Sequence, residues 1–202
     1  MVKVGPIEII ERESPPRICL IDETERLFLN PEFNEDWRIR TDIHNRLIKA
    51  TAILPDGLCF MVYEAFRSRA RQHILWDLAY DDLKEKQSNW DANKLYNETS
   101  RWVAPPDGFG SGHQAGAAID ITLATTQRQP LDMGTPMQGV TPLTRTDALV
   151  SLTIRKNRNI LIDALASQGL VNYPEEWWHF CYGDRLWAEI TGRDKAFFAP
   201  ID

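Results

Sequence analysis

An aspartate stands in the middle of an apolar strand. The run Ala118-Ile119-Asp120-Ile121-Thr122-Leu123 alternates small or polar residues with large apolar ones, the period-two pattern of a half-buried strand. Alternation puts Ala118, Asp120 and Thr122 on one face and Ile119, Ile121 and Leu123 on the other. A carboxylate in that setting is costly unless it is compensated, and a cation, a nearby helix N-terminus or Arg67 would each do so. Just before the strand lies Ser111-Gly112-His113-Gln114-Ala115-Gly116, where Gly112 and Gly116 allow a tight backbone path and His113 precedes Asp120 by seven residues.

A second histidine sits in equally unusual company. Glu175-Glu176-Trp177-Trp178-His179-Phe180 places an imidazole in an aromatic strand, with a carboxylate three residues before it. Two His and one Asp make a three-ligand zinc set with the fourth tetrahedral position open to water, the pattern of a catalytic metal site. A Glu near such a water can act as general base. Each segment alone also reads as ordinary structure, with His179 as a satisfied core residue. Cys181, on the same strand face as His179, is either a further ligand or a buried free thiol. His44 and His73 fall among charged residues in helical stretches and are expected to face solvent.

Composition narrows the function classes. Lys and Arg total 23 and Asp and Glu 29, a net charge of −6, and the densest basic stretch is only Arg67-Ser68-Arg69-Ala70-Arg71. That balance disfavours nucleic acid as a partner. Three cysteines, Cys19, Cys59 and Cys181, make neither a disulfide framework nor a CxxC zinc site. No stretch reaches 18 apolar residues and the first twenty residues lack the apolar core of a signal peptide, so the expectation is a cytoplasmic protein with no membrane partner.

The 202 residues fit one domain, with residues 1–34 irregular and interrupted by Pro6, Pro15, Pro16 and Pro31. Apolar spacing predicts helices over 35–54, 69–86, 90–97 and 146–168, the second capped by Ser68 with Ile74, Leu75, Leu78 and Leu83 inward. A last helix is capped by Asp184 and runs through Ile190. Strands are expected at 58–66, 118–123 and 177–182, with loops at 103–117 and 124–145. The predicted class is α+β: one domain with a small, mostly antiparallel sheet flanked by helices.

SGHQAGAAIDITL resembles the SxHxxGxAxDLTL motif, and EWWHF the ExWWHF motif, of the zinc-dependent D-alanyl-D-alanine dipeptidases, within the wider family of zinc D,D- and L,D-peptidases. Glu64-Ala65-Phe66-Arg67 is similar to the family's DxYRP segment and Asp132-Met133-Gly134-Thr135-Pro136 to its MG-containing loop. The likeness extends over 58–182, the expected catalytic core. It implies that His113, Asp120 and His179 bind Zn2+, that the sheet carries this zinc site, and that Glu176 is the catalytic base and acid. It implies further that Arg67 stabilises the oxyanion and that Ser111, Gln138 and Trp178 lie on the substrate side. The implied partner is a small peptide ending in a D-amino acid.

Three departures accompany the likeness. Gln138 stands where the family's aspartate is expected to bind the substrate's ammonium, Ser68 replaces a proline, and the family's N-terminal Tyr-x-Thr stretch is not evident in 1–34. The change at Gln138 points towards a longer peptide. A D,D- or L,D-carboxypeptidase acting on stem peptides is therefore the alternative, with a zinc-containing peptide-binding module that does not cleave as the competing class.

Overall fold

The computed structural model describes residues 7–137 and 141–201. Its centre is a five-stranded sheet ordered β3-β5-β6-β8-β7: β3 (Leu27–Leu29), β5 (Leu58–Glu64), β6 (Ala118–Thr125), β8 (His179–Cys181) and β7 (Val171–Asn172). Only the β3–β5 pair is parallel, so the sheet is mostly antiparallel, as the sequence predicts. Two small ribbons flank it. β2 (Ile18–Leu20) pairs with β4 (Arg38–Arg40), and β1 (Glu8–Ile9) runs parallel to β9 (Lys195–Ala196), joining the two ends of the chain.

Helices α1 (Thr41–Thr51) and α4 (Leu152–Ala166) pack against each other, and α4 packs on β6. Ile119, Ile121 and Leu123 are fully buried in one core cluster with Ile43, Leu47, Leu161 and Leu165, so the apolar face of β6 meets the apolar stripes of the helices. The opposite face, with Asp120 and Thr122, is left for polar chemistry. Among the described residues no helix is long and apolar enough to cross a membrane.

Several elements differ from the sequence reading in instructive ways. The N-terminal stretch expected to be irregular holds β1, β2 and β3, strands of two or three residues that are too short to leave an alternation. The first helix begins at Thr41 because Arg38–Arg40 is taken by β4, and the fourth begins at Leu152, capped by the Ser151 side chain. The short helix expected at 90–97 is α3 (Ala92–Thr99), capped by Asp91.

Helix α2 (Arg69–Lys86) matches its expected bounds and its Ser68 cap, but Ile74 and Leu78 are 58% and 64% exposed. Its one fully buried side chain is Gln72. The helix pairs mainly with α3, through Trp76 tilted against Tyr96, and Trp76 also stacks on Tyr80 within α2. Through Gln72 the first turn of α2 reaches Arg67 and Ser111. Asp184 caps α5 (Arg185–Ile190) as expected, its side chain accepting from the Trp187 N–H at 2.8 Å.

Candidate active site

Strand register brings the three expected ligands together. Asp120 of β6 lies directly opposite His179 of β8, and the loop before β6 folds His113 back over the strand. One donor atom from each of His113, Asp120 and His179 lies within 4.8 Å of the others, and all three side chains are buried. His113 Nδ1 is 2.8 Å from the Ala65 carbonyl oxygen, which can only accept. Nδ1 therefore carries the proton, and Nε2 turns its lone pair to the cluster, 3.4 Å from Asp120 Oδ1. His179 presents Nδ1, 3.0 Å from the same oxygen. Burial opposes the charged form of His113, but Asp120 outweighs it and holds the imidazole above its ordinary value of 6.5. Burial likewise works against ionised Asp120, and the two imidazoles overcome it, holding the carboxyl well below its usual range. Two imidazoles and a carboxylate, converging and buried, are a donor set that fits zinc, with three protein ligands and a position left open.

A β-bulge completes the site. Val62 pairs with Ile121, yet Glu64, two residues on, pairs with Asp120, so one extra residue is accommodated between them. That shift puts the buried Glu64 beside the cluster, where its carboxylate grips Arg67 through both oxygens: Arg67 Nε donates to Oε1 at 2.8 Å and Nη2 to Oε2. Arg67 Nη1 donates to Gln72 Oε1 at 3.0 Å. Among the described residues, three of the five guanidinium N–H groups are thus committed, and two remain. Arg67 is paired with Glu64 and not with Asp120, which leaves the Asp120 carboxylate to the two histidines.

Glu176 is half-buried, and its charge couples to His179, Asp120, Arg67 and Glu64. Burial pushes its pKa up to about 7; Asp120 and Glu64 reinforce the rise, while His179 and Arg67 oppose it. The Ser111 hydroxyl donates to Gln72 Oε1 at 3.2 Å and accepts from the Gln114 N–H at 3.2 Å, so its proton is directed at Gln72. Trp178 lies in the core cluster, and its carbonyl oxygen accepts from the Ile121 N–H. Trp177 and Trp178 lie in the turn before β8, and the Trp177 Nε1–H donates to Thr135 Oγ1 at 2.8 Å. Gln138 lies outside the described residues. Cys181 is a buried free thiol, pushed well above its ordinary value by burial and by Asp184. Neither His44 nor His73 joins the cluster: His44 is half-buried with Nε2 unpartnered, and His73 is 3.5 Å from Asp107.

Two members of this assembly escape a reading of the sequence by residue type. Gln72 is fully buried and links Arg67, Ser111 and, through Nε2, the Ala104 carbonyl oxygen at 2.7 Å. A glutamine inside a helix carries no local signal for that role. Glu64 gains its position from a bulge, and only its place three residues before Arg67 hints at the pairing.

Two curated relatives match most of the chain. The D-alanyl-D-alanine dipeptidase of Synechocystis sp. is 27% identical over 175 residues, 74% of this chain and 71% of the relative. That of Escherichia coli is 27% identical over 144 residues, 70% of this chain and 65%, just under two thirds, of the relative. Among solved structures, the zinc complex of the vancomycin-resistance D,D-pentapeptidase VanY from a VanB-type cassette aligns with a TM-score of 0.47 at 20% identity, covering 93% of this chain and 94% of that one. The profile of the M15 peptidases, described as D-ala-D-ala dipeptidase, matches residues 38–197. This chain belongs to that peptidase family.

Proposed function

We propose that this protein is a zinc metallopeptidase that hydrolyses D-Ala-D-Ala or a closely related peptide ending in a D-amino acid. The observation that carries the reading is the convergence of His113 Nε2, Asp120 and His179 Nδ1 in one buried cluster, with Glu176 and Arg67 both electrostatically coupled to Asp120. The two curated relatives support the substrate class.

His113, Asp120 and His179 would hold a zinc ion, which when bound would supply Lewis acidity, lowering the pKa of a water towards about 7 and polarising the carbonyl under attack. Glu176 takes the proton from the attacking water and delivers it to the leaving amine nitrogen. Its carboxyl stands raised to about 7 by burial, and a cation beside it would pull that value down, favouring the carboxylate a base needs at neutral pH. Arg67 turns its two uncommitted N–H groups to the charge that develops on the carbonyl oxygen. Glu64 and Gln72 hold the guanidinium in place beforehand, so little reorganisation is required as the charge forms.

Product analysis by mass spectrometry tests this reading. Zinc-loaded protein is incubated with D-Ala-D-Ala, its N-acetylated form, and stem tetra- and pentapeptides, with Glu176→Ala as control. Release of D-Ala from one or more of these by the native protein and not by the control is the expected result. No turnover in any reaction, despite bound zinc, would instead favour a peptide-binding module.

A further inference from the structure

The turn that leads from Glu176 to His179 gathers around one side chain. Asn172 ends the edge strand β7, where it pairs with Phe180 of β8, and it is half-buried. Its Nδ2 donates to the carbonyl oxygens of Glu176 at 3.0 Å, Trp177 at 3.3 Å and His179 at 3.1 Å. Carbonyl oxygens can only accept, so this amide has one orientation, with its nitrogen towards the turn. The remaining carbonyl of the stretch, that of Trp178, accepts from the Ile121 N–H at 3.1 Å. Every backbone carbonyl from Glu176 to His179 is therefore held, three by Asn172 and one by the strand that carries Asp120.

The amide is itself fixed from behind. Its Oδ1 accepts from the Thr146 hydroxyl, and the Thr146 N–H donates to the Pro174 carbonyl oxygen at 2.9 Å. Closing the turn does not require this side chain. The Tyr173 N–H donates to the His179 carbonyl oxygen at 3.0 Å, and the Glu176 N–H to that of Tyr173 at 3.1 Å. What the amide adds is a fixed path for the backbone between the carboxylate and the imidazole, which stand three residues apart. A base works only within hydrogen-bond reach of the proton it takes, and a misplacement of about 1 Å can cost on the order of 100-fold in rate.

We propose that Asn172 is a positioning residue, which sets the Glu176 carboxylate relative to the His179 imidazole by holding the backbone that joins them, with Thr146 orienting its amide. The proposal rests on the peptidase reading and adds to it a residue outside the cluster. Asn172→Ala removes all three donations. Asn172→Asp keeps the size and the acceptor for Thr146 but turns an oxygen towards three carbonyl oxygens. Thr146→Val leaves the amide in place without its anchor.

These variants are compared with the native protein by zinc affinity in a chelator competition, by the visible spectrum of the cobalt(II)-loaded protein and by steady-state kinetics on D-Ala-D-Ala. Chemical denaturation reports their folding separately. Asn172→Ala is expected to lose about 10- to 100-fold in zinc affinity and to shift the cobalt bands. Its kcat should fall about 100-fold with KM little changed. Asn172→Asp should lose more, and Thr146→Val should change in the same direction by less. Folded variants with native zinc affinity, cobalt spectrum and kcat would overturn the proposal, whatever their denaturation midpoints, since the amide would then serve the hairpin alone. A change confined to KM would also overturn it. Should the Asn172 variants not fold, Thr146→Val decides by the same readouts. If the native protein cleaves no peptide, the peptidase reading fails, and zinc affinity and the cobalt spectrum still decide whether Asn172 positions His179.

Discussion

The Gln72 side-chain oxygen accepts a hydrogen bond from Arg67 Nη1 at 3.0 Å, and that oxygen also receives the Ser111 hydroxyl at 3.2 Å. One fully buried amide on α2 therefore sets both the guanidinium beside the cluster and the loop that carries His113. Gln72→Leu keeps the bulk and removes both acceptor contacts. Hydrogen bonds to charged groups contribute about 1.5–3 kcal/mol, equivalent to roughly 10- to 100-fold in rate if Arg67 acts on the transition state. The expected outcome is a fall of that size in kcat with KM changed little, read from steady-state kinetics on D-Ala-D-Ala. A change in KM alone would show that Gln72 serves substrate binding and not Arg67.

Glu64 and Arg67 are a buried pair, with side chains 1% and 12% exposed. Removing one partner of such a pair leaves an uncompensated charge and typically costs about 3–5 kcal/mol. Glu64→Ala is expected to lose stability on that scale in chemical denaturation. The Glu64→Ala/Arg67→Ala double variant should recover part of the loss, because the stranded charge is gone. A double variant less stable than Glu64→Ala would show that packing, and not charge, dominates there.

Gly112 has no room for a side chain. A Cβ there would stand 2.1 Å from Asp184 Oδ2 and 2.8 Å from the Ala118 Cβ. Asp184 cannot easily yield, since its other oxygen caps α5 at 2.8 Å. Gly112→Ala should therefore displace the loop one residue before His113. Disturbing the supports of a ligand typically costs 10- to 100-fold in metal affinity, so about that loss is expected in a chelator competition for zinc. Unchanged affinity would mean that the loop adapts without moving His113.

Arg40, whose side chain is wholly buried, ties three segments. It binds Glu11 at 2.8 Å and Glu13 at 3.1 Å, the Ala115 carbonyl oxygen at 2.8 Å and that of Ala199 at 3.0 Å. Burial raises the Glu11 carboxyl, but Arg40 and the N–H groups of Glu13 and Ala199 outweigh it and hold it below 4.5. A carboxyl depressed on folding stabilises fully above its unfolded value, and that contribution is lost as pH falls through the folded one. Glu11→Gln should thus be less stable by about 1–2 kcal/mol at pH 7. The gap should narrow as pH falls below 4.5, in melts across the acid range. A gap that widened with acid would contradict the pairing.

Much of the site was legible because its elements are locally marked. Asp120 stands out against Ile119 and Ile121, and Ser68 and Asp184 announce the helices they cap. The meeting of His113 and Asp120 with His179, 59 residues beyond Asp120, is a matter of sheet register, which residue spacing does not encode and the family motifs do. Gln72 and Arg40 act through long-range contacts that leave no periodic trace. The apolar residues Ile74 and Leu78 misdirect, since α2 turns its one buried polar side chain inward to serve the site and leaves those two in solvent.

The proposed metal position at His113, Asp120 and His179 is open to direct observation. Crystals grown with zinc and measured on both sides of the zinc absorption edge would locate it by anomalous difference density. The predicted result is one full-occupancy peak bound by His113 Nε2, an Asp120 oxygen and His179 Nδ1, abolished in Asp120→Ala. Zinc bound elsewhere, or no peak at this cluster with the three side chains ordered, would contradict it.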